Sequence, residues 1–146
     1  MNNPIPDEYQ VAHLFLLVGT NPLPNYVAAH LLLKPAGTLY LVCSPGTSAS
    51  AERLRRLLSR YGLRNSKLVM VKSDCPEIIY HDVKREADGA KDKDSIGLNY
   101  TGGTKAMAVH AYRAVEDSCR SSGRSAVFSY LNVDDLSMVI ERIGTA

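Results

Sequence analysis

The stretch Asn99-Tyr-Thr-Gly-Gly-Thr-Lys-Ala-Met107 gathers the residue types that handle anions. Paired glycines let a backbone approach a ligand closely and adopt positive φ. A helix opening directly after them presents unpaired N–H groups and a partial positive charge, which together favour an anion. Thr101 and Thr104 add hydroxyls, and Lys105 adds a full charge in the first turn of that helix. The helix dipole disfavours lysine there, so its presence points to a nearby anion. The plainer alternative is a Gly-Gly turn, a threonine cap and a solvated lysine, and the residues alone leave both open. Gly-x-x-x-x-Gly-Lys-[Ser/Thr] is absent, which disfavours magnesium-dependent nucleoside triphosphate hydrolysis.

Gly19-Thr-Asn-Pro-Leu-Pro-Asn-Tyr26 is the partner signal. Gly19 allows a tight exit from a strand, while Thr20 and Asn21 offer hydroxyl and amide groups to a phosphate, a ribose or a base edge. Tyr26 either stacks on a base or packs between helix and sheet, the second being commoner for one tyrosine. Ser44-Pro-Gly-Thr-Ser48 adds small polar groups to the same rim through Ser44 and Thr47, although a turn with a cap explains most of it. The dinucleotide fingerprint G-x-G-x-x-G is missing, so NAD or FAD binding is disfavoured. His13, His30, His81 and His110 show no metal-ligand spacing with one another or with Cys43, Cys75 and Cys119. No metal and no cofactor are expected. Three cysteines without C-x-x-C suggest neither a disulfide framework nor a zinc knuckle. Arg53, Arg56 and Arg60, with Arg64 beyond, read as a solvated helix face.

Alternating elements must position these turns. Apolar runs at His13–Gly19, Thr38–Cys43, Lys67–Lys72 and Ser95–Asn99 read as buried parallel strands. Helical patterns follow each, at Tyr26–Leu33 (ended by Pro35 and Gly37), Ser50–Tyr61, Pro76–Ala87 and Gly103–Ser122. Leu54, Leu57, Leu58 and Tyr61 share one face of the second helix; Met107, Ala111, Ala114 and Val115 face inward from the fourth. Asp88–Asp94 is a mixed-charge loop. Ala126–Leu131 and Leu136–Ile143 form a closing hairpin around Asn132-Val-Asp-Asp. The fold class is therefore α/β: a Rossmann-like three-layer sandwich, with a mostly parallel six-stranded sheet and a C-terminal β-hairpin. Right-handed crossovers favour strand order 3-2-1-4 with the hairpin beyond strand 4. Winding reverses between strands 1 and 4, where open sheets bind ligands at their carboxyl ends. The turns Gly19–Asn25 and Asn99–Lys105 should thus lie side by side, although distant in sequence.

Composition agrees with one domain spanning 1–146. The chain has 146 residues, 45% hydrophobic and 22% charged, which excludes intrinsic disorder and a collagen-like repeat. A net charge of +2 argues against coating long nucleic acid by charge, leaving room for a local anion site. The longest apolar stretch falls short of the ~20 residues of a membrane helix. The first Lys or Arg is Lys34, so the basic start of a signal peptide is missing, and a cytoplasmic location is expected.

In this setting Leu17-Val-Gly-Thr-Asn-Pro-Leu-Pro-Asn-Tyr26 and Leu98-Asn-Tyr-Thr-Gly-Gly-Thr-Lys-Ala-Met107 resemble the CARF (CRISPR-associated Rossmann fold) family. Looser similarity runs through Leu41–Leu54 and Ser129–Ile140, so the likeness covers nearly the whole chain in outline. Asn-Tyr-Thr-Gly-Gly-Thr-Lys is similar to the branch that carries nuclease or other effector domains.

The resemblance implies an allosteric sensor of cyclic oligoadenylate, the second messenger of type III CRISPR antiviral systems. Cyclic tetra-adenylate is the expected ring and hexa-adenylate the alternative. It implies a homodimer with the ring across the two-fold axis, each subunit touching half of it. Gly19, Thr20 and Asn21 would line the floor near phosphate or ribose. Thr101, Gly102, Gly103, Thr104 and Lys105 would cradle phosphate from the other side, and Ser44 and Thr47 would be rim contacts. Some members cleave the ring without metal, a ribose 2′-OH attacking the neighbouring phosphate to leave a 2′,3′-cyclic phosphate. In that alternative Lys105 would stabilise charge and Thr20 or Thr104 would position the attack; no general base is evident, so such cleavage would be slow. A third alternative is another nucleotide-binding or interaction module on a similar sheet. The chain ends just after its last strand, so either a stand-alone sensor or, the favoured expectation, a sensor domain followed by an effector domain in a longer protein is implied.

Overall fold

The computed structural model describes residues 5–72, 74–90 and 95–143. After a single 3-10 turn at Asp7–Tyr9 come β1 (Val11–Leu17), α1 (Leu23–Leu32), β2 (Leu33–Cys43), α2 (Ser48–Arg60) and β3 (Ser66–Met70). Then follow α3 (Pro76–Asp88), β4 (Ile96–Asn99), α4 (Lys105–Ser122), β5 (Ala126–Asn132) and β6 (Ser137–Ile143). The strands form one six-stranded sheet in the order β3-β2-β1-β4-β5-β6. Pairings from β3 through β5 are parallel, and β5–β6 is antiparallel. The expected order and closing hairpin are both present.

Side chains of β1 alternate between two cores. Leu14, Leu16 and Val18 point to one, with Ala28, Ala29 and Leu32 of α1 and Leu54 and Leu58 of α2. Phe15 and Leu17 point to the other, with Ile79 and Val83 of α3 and Met107, Ala111 and Val115 of α4. The sheet is therefore covered on both faces, which is why β1 reads as an unbroken apolar run rather than an alternating one. Gly62 and Gly123 follow α2 and α4 at φ 95° and 72°, the left-handed conformation expected of glycine past a helix end. Among the described residues no helix is long and apolar enough to cross a membrane.

Several boundaries differ from expectation. β1 starts and ends two residues earlier than His13–Gly19, because the backbone must leave the ladder before it turns at Gly19. α1 begins at Leu23, not Tyr26, with Pro24 tolerated in the opening turn. Pro35 and Gly37 do not form the end of that helix. Lys34 precedes a proline and so avoids helical backbone, and the chain is already in β2 at Leu33. The register jumps from Val11↔Leu33 to His13↔Thr38, with Ala36 in the slack at φ 64°. A Cβ on Gly37 would lie 2.7 Å from Leu33 Cδ1 and 2.9 Å from the Ala12 carbonyl, so glycine closes this bulge. Of the four residues expected to share one face of α2, only Leu54 and Leu58 are buried, beside Ser50 and Ala51; Leu57 and Tyr61 are 39% and 59% exposed. Most of the mixed-charge loop Asp88–Asp94 and the end of the chain after Ile143 lie outside the described residues.

Candidate anion-binding site at the carboxyl edge of the sheet

The two glycine turns meet backbone to backbone. A Cβ on Gly102 would lie 2.3 Å from the Leu17 carbonyl oxygen and 3.0 Å from the Gly19 nitrogen. One on Gly19 would lie 3.1 Å from the Gly103 nitrogen. Gly103 has φ 79°, which a residue with a side chain rarely adopts. These three glycines let the exits of β1 and β4 touch at the point where the winding reverses. The adjacency expected from the strand order is present as a close approach of the two backbones.

Buried amides hold the turns. Asn25, fully buried on α1, donates from Nδ2 to the Leu17 carbonyl at 2.9 Å. Its Oδ1 is buried without a hydrogen-bond partner among the described residues. Asn99, fully buried at the end of β4, donates from Nδ2 to Ser129 Oγ at 3.0 Å. Asn99 Oδ1 accepts from the Thr101 hydroxyl at 2.7 Å and from the Thr101 N–H at 3.3 Å. Thr101 Oγ1 in turn accepts from the Leu131 N–H at 2.8 Å. The Thr101 hydroxyl proton is thus committed to Asn99, while the Thr101 oxygen ties this turn to β5 through the Leu131 N–H.

α4 opens as the motif suggested. Thr104 is its N-cap, and Thr104 Oγ1 accepts from the Met107 N–H at 3.1 Å. The cap uses an oxygen lone pair and leaves the hydroxyl proton for another acceptor. The N–H groups of Lys105 and Ala106 have no carbonyl one turn back within the helix. Lys105 is the first helical residue, is exposed, and forms no ion pair among the described residues. A phosphate placed over Gly102–Lys105 would therefore meet free N–H groups, a hydroxyl, the positive helix end and an ammonium together.

The remaining candidates distribute around this centre. Thr20 is exposed on the β1–α1 turn. Asn21 accepts the Leu23 N–H at Oδ1, 3.2 Å away, so its carbonyl serves the start of α1. Asn21 also lines a separate, largely apolar cavity of about 280 Å³ with Pro22, Leu23, Tyr26, Arg53, Leu54 and Leu57. Tyr26 packs edge-on to His30, ring centroids 4.5 Å apart, and takes the helix-packing role. On the β2–α2 turn Thr47 Oγ1 accepts the Ser44 N–H at 2.9 Å and lies 3.1 Å from Ser44 Oγ. Ser44 nonetheless borders a cavity of about 370 Å³ with Pro45, Val71, Lys72, Asp74, Thr104 and Met107. Thr47 does not line that cavity.

Lys72, Asp74 and Asn25 were not singled out from the sequence. Lys72 and Asp74 follow a short edge strand with no glycine or cap to mark a site. Asn25 carried a usable signal, being a poor helix former within an otherwise apolar helix. Two of the cysteines are inert by placement: burial raises the Cys43 thiol, with Glu52 adding to the effect, and pushes Cys119 up to about 11.

No family model and no curated protein matches this chain. Solved structures do. Protein VC1899 from Vibrio cholerae superposes with a TM-score of 0.71 at 11% identity, over 88% of this chain and 32% of that one. Can2 from Sulfobacillus thermosulfidooxidans, solved in complex with cyclic tetra-adenylate, superposes with a TM-score of 0.60 at 20% identity, over 92% of this chain and 36% of that one. The chain thus spans about a third of the length of either protein. At these identities the likeness is one of architecture: a Rossmann-like, mostly parallel sheet closed by an antiparallel hairpin.

Proposed function

We propose that this chain is a sensor domain that binds a cyclic oligoadenylate at the carboxyl edge of its sheet, within a type III CRISPR effector. The observation that carries the reading is the backbone contact of Gly19 with Gly102 and Gly103 at the head of α4. It sets a flat, side-chain-free floor beside free helix N–H groups and Lys105, which suits a phosphodiester held in close approach. Can2, of the same architecture, was solved with cyclic tetra-adenylate, which supports a ligand of that class. The ring expected is cyclic tetra-adenylate, with hexa-adenylate the alternative. A ring with two-fold symmetry matches a homodimer in which each subunit supplies one copy of the site. In this arrangement Lys105 and the α4 N-terminus hold phosphate, while Gly19 and Thr20 form the floor.

Calorimetric titration tests the reading. Purified protein should bind cyclic tetra- or hexa-adenylate, and Lys105→Ala should weaken binding by ~10–100-fold, the value of a hydrogen bond to a charged group. Failure of wild-type protein to bind either ring would remove the reading. Unchanged affinity in Lys105→Ala would remove Lys105 from the site.

A further inference from the structure

The cavity between α1 and α2 lies on the face of the sheet opposite α3 and α4. It holds about 280 Å³, with Leu23 and Tyr26 of α1 on one side and Arg53, Leu54 and Leu57 of α2 on the other. Leu23 is 63% exposed, and Leu57 stays open across from it. The Tyr26 and Tyr61 rings meet edge-on, centroids 6.3 Å apart, so exposed Tyr61 prolongs the apolar wall. One exposed leucine is ordinary; a contiguous apolar patch around a cavity marks a contact surface.

Charge is spread unevenly around α2. Arg53, Arg56, Leu57 and Arg60 stand at i, i+3, i+4 and i+7, which sets them on one side of the helix. Arg53 and Leu57 line the cavity, so Arg56 and Arg60 continue its rim. Glu52, Arg55 and Ser59 hold the other flank, where Arg55 pairs with Glu52 at 3.1 Å. Glu52 is the one acid of either helix, and α1 carries no Lys or Arg. Arg53, Arg56 and Arg60 are exposed and form no ion pair among the described residues, although Arg53 donates to Ser50 Oγ at 3.1 Å. We infer that the α1–α2 groove receives an acidic segment of a partner protein, with one aliphatic or aromatic side chain entering the cavity and carboxylates lying on Arg53, Arg56 and Arg60. Guanidinium forks match carboxylates, arginine clusters read acidic motifs, and an apolar anchor beside them fixes the register. A second copy of the chain fits poorly, since a two-fold contact on this face would set arginines against arginines. Nucleic acid fits poorly too, because α1 offers no cation to phosphate and a phosphate backbone leaves an apolar cavity unfilled. None of these residues belongs to the phosphate cradle proposed above, so either assignment can fail without the other.

Phage display of a random peptide library on the purified protein tests the groove, followed by fluorescence anisotropy of the most enriched peptide. Enriched sequences are expected to combine Asp or Glu with a leucine, isoleucine or aromatic residue. Two variants are compared with wild type: Leu57→Asp, and Arg56→Glu combined with Arg60→Glu. All three positions are exposed, and thermal unfolding checks that each variant is folded. Each variant should weaken the peptide by ~10-fold or more, as substitutions at contact hot spots do. Added salt should weaken it on wild type. A selection without an acidic consensus, or an affinity unchanged in either variant, overturns the inference. A labelled single-stranded oligonucleotide that binds wild type and is released by the charge reversal overturns it in favour of nucleic acid. A dimer in light scattering that either variant converts to monomer overturns it in favour of a second copy.

Discussion

Glycine is required at 102 because a Cβ there would sit 2.3 Å from a carbonyl oxygen of another strand. Backbone oxygen cannot rotate away as a flexible side chain would, so the two turns must separate to admit one methyl group. Gly102→Ala should therefore cost about 1–3 kcal/mol, the range for forced overpacking, and should impair ligand binding, as read by chemical denaturation and titration on the same sample. Asn99 sits one shell deeper. Asn99→Ala leaves the Thr101 hydroxyl without its acceptor and should cost about 1–3 kcal/mol for groups stranded in a buried setting. Urea denaturation checks the size; a change no larger than that of a typical surface substitution would mean that Thr101 finds another partner. The glycine and lysine motif was legible because those residue types have few other uses beside a helix start. Asp74 and Lys72 were not, because a carboxylate and an ammonium are ordinary on any surface.

Helices α3 and α4 are joined at their far end by Arg124, 6% exposed just past α4. Its Nη2 donates to the Ala87 carbonyl at 3.0 Å and to Ser118 Oγ at 2.9 Å, and its Nη1 donates to the Ala90 carbonyl at 3.3 Å. The guanidinium thereby adds charged donors to carbonyls at the end of α3, where Ala87 also accepts the Ala90 N–H at 3.2 Å. Ser118 passes the link onward, donating to Asp88 at 2.6 Å, and Lys84 pairs with Asp88 at 2.8 Å. Arg124→Met should cost about 2–3 kcal/mol, because buried carbonyls lose charged donors; thermal unfolding reads it. Burial alone would raise the Asp88 carboxyl, yet hydrogen bonds from Lys84 and Ser118 and the charges of Lys84 and Arg124 outweigh it and hold it low. A carboxyl lowered on folding stabilises above its unfolded value, near 3.9, and loses that contribution as pH falls through the folded value. Stability should accordingly decline below about pH 4 in wild type, and Asp88→Asn should flatten that decline in acid unfolding curves. This clamp was invisible in the sequence, where Arg124 is one arginine among several after a glycine. The helix ends themselves were legible, since the helical patterns Ser50–Tyr61 and Gly103–Ser122 each run up to a glycine, and Gly62 and Gly123 take left-handed backbone.

At the level of the whole molecule, strand order was the most readable property. Alternating strands and helices, short connections and right-handed crossovers leave few ways to arrange a sheet of this kind, and the order β3-β2-β1-β4-β5-β6 is one of them. The excursion between Val11↔Leu33 and His13↔Thr38 was not readable, because it depends on which residues of two strands meet rather than on either strand alone. If a symmetric ring sits between two copies, calorimetry should give about one ring per two chains, and light scattering should show a dimer in its presence. A stoichiometry of one ring per chain would argue that a single subunit holds the whole ligand.

The glycine contact also has a mechanical side. Two backbones pressed together without side chains between them have no soft layer to absorb a push. Whatever displaces Gly102 must displace the end of β1, or else the rod that begins three residues later. That rod is α4, whose 18 residues span about 27 Å at 1.5 Å per residue. It ends beside Arg124, which grips the end of α3. Were the head of α4 to tilt about this contact, its tail would sweep further, and α3, held by Arg124, would be carried along.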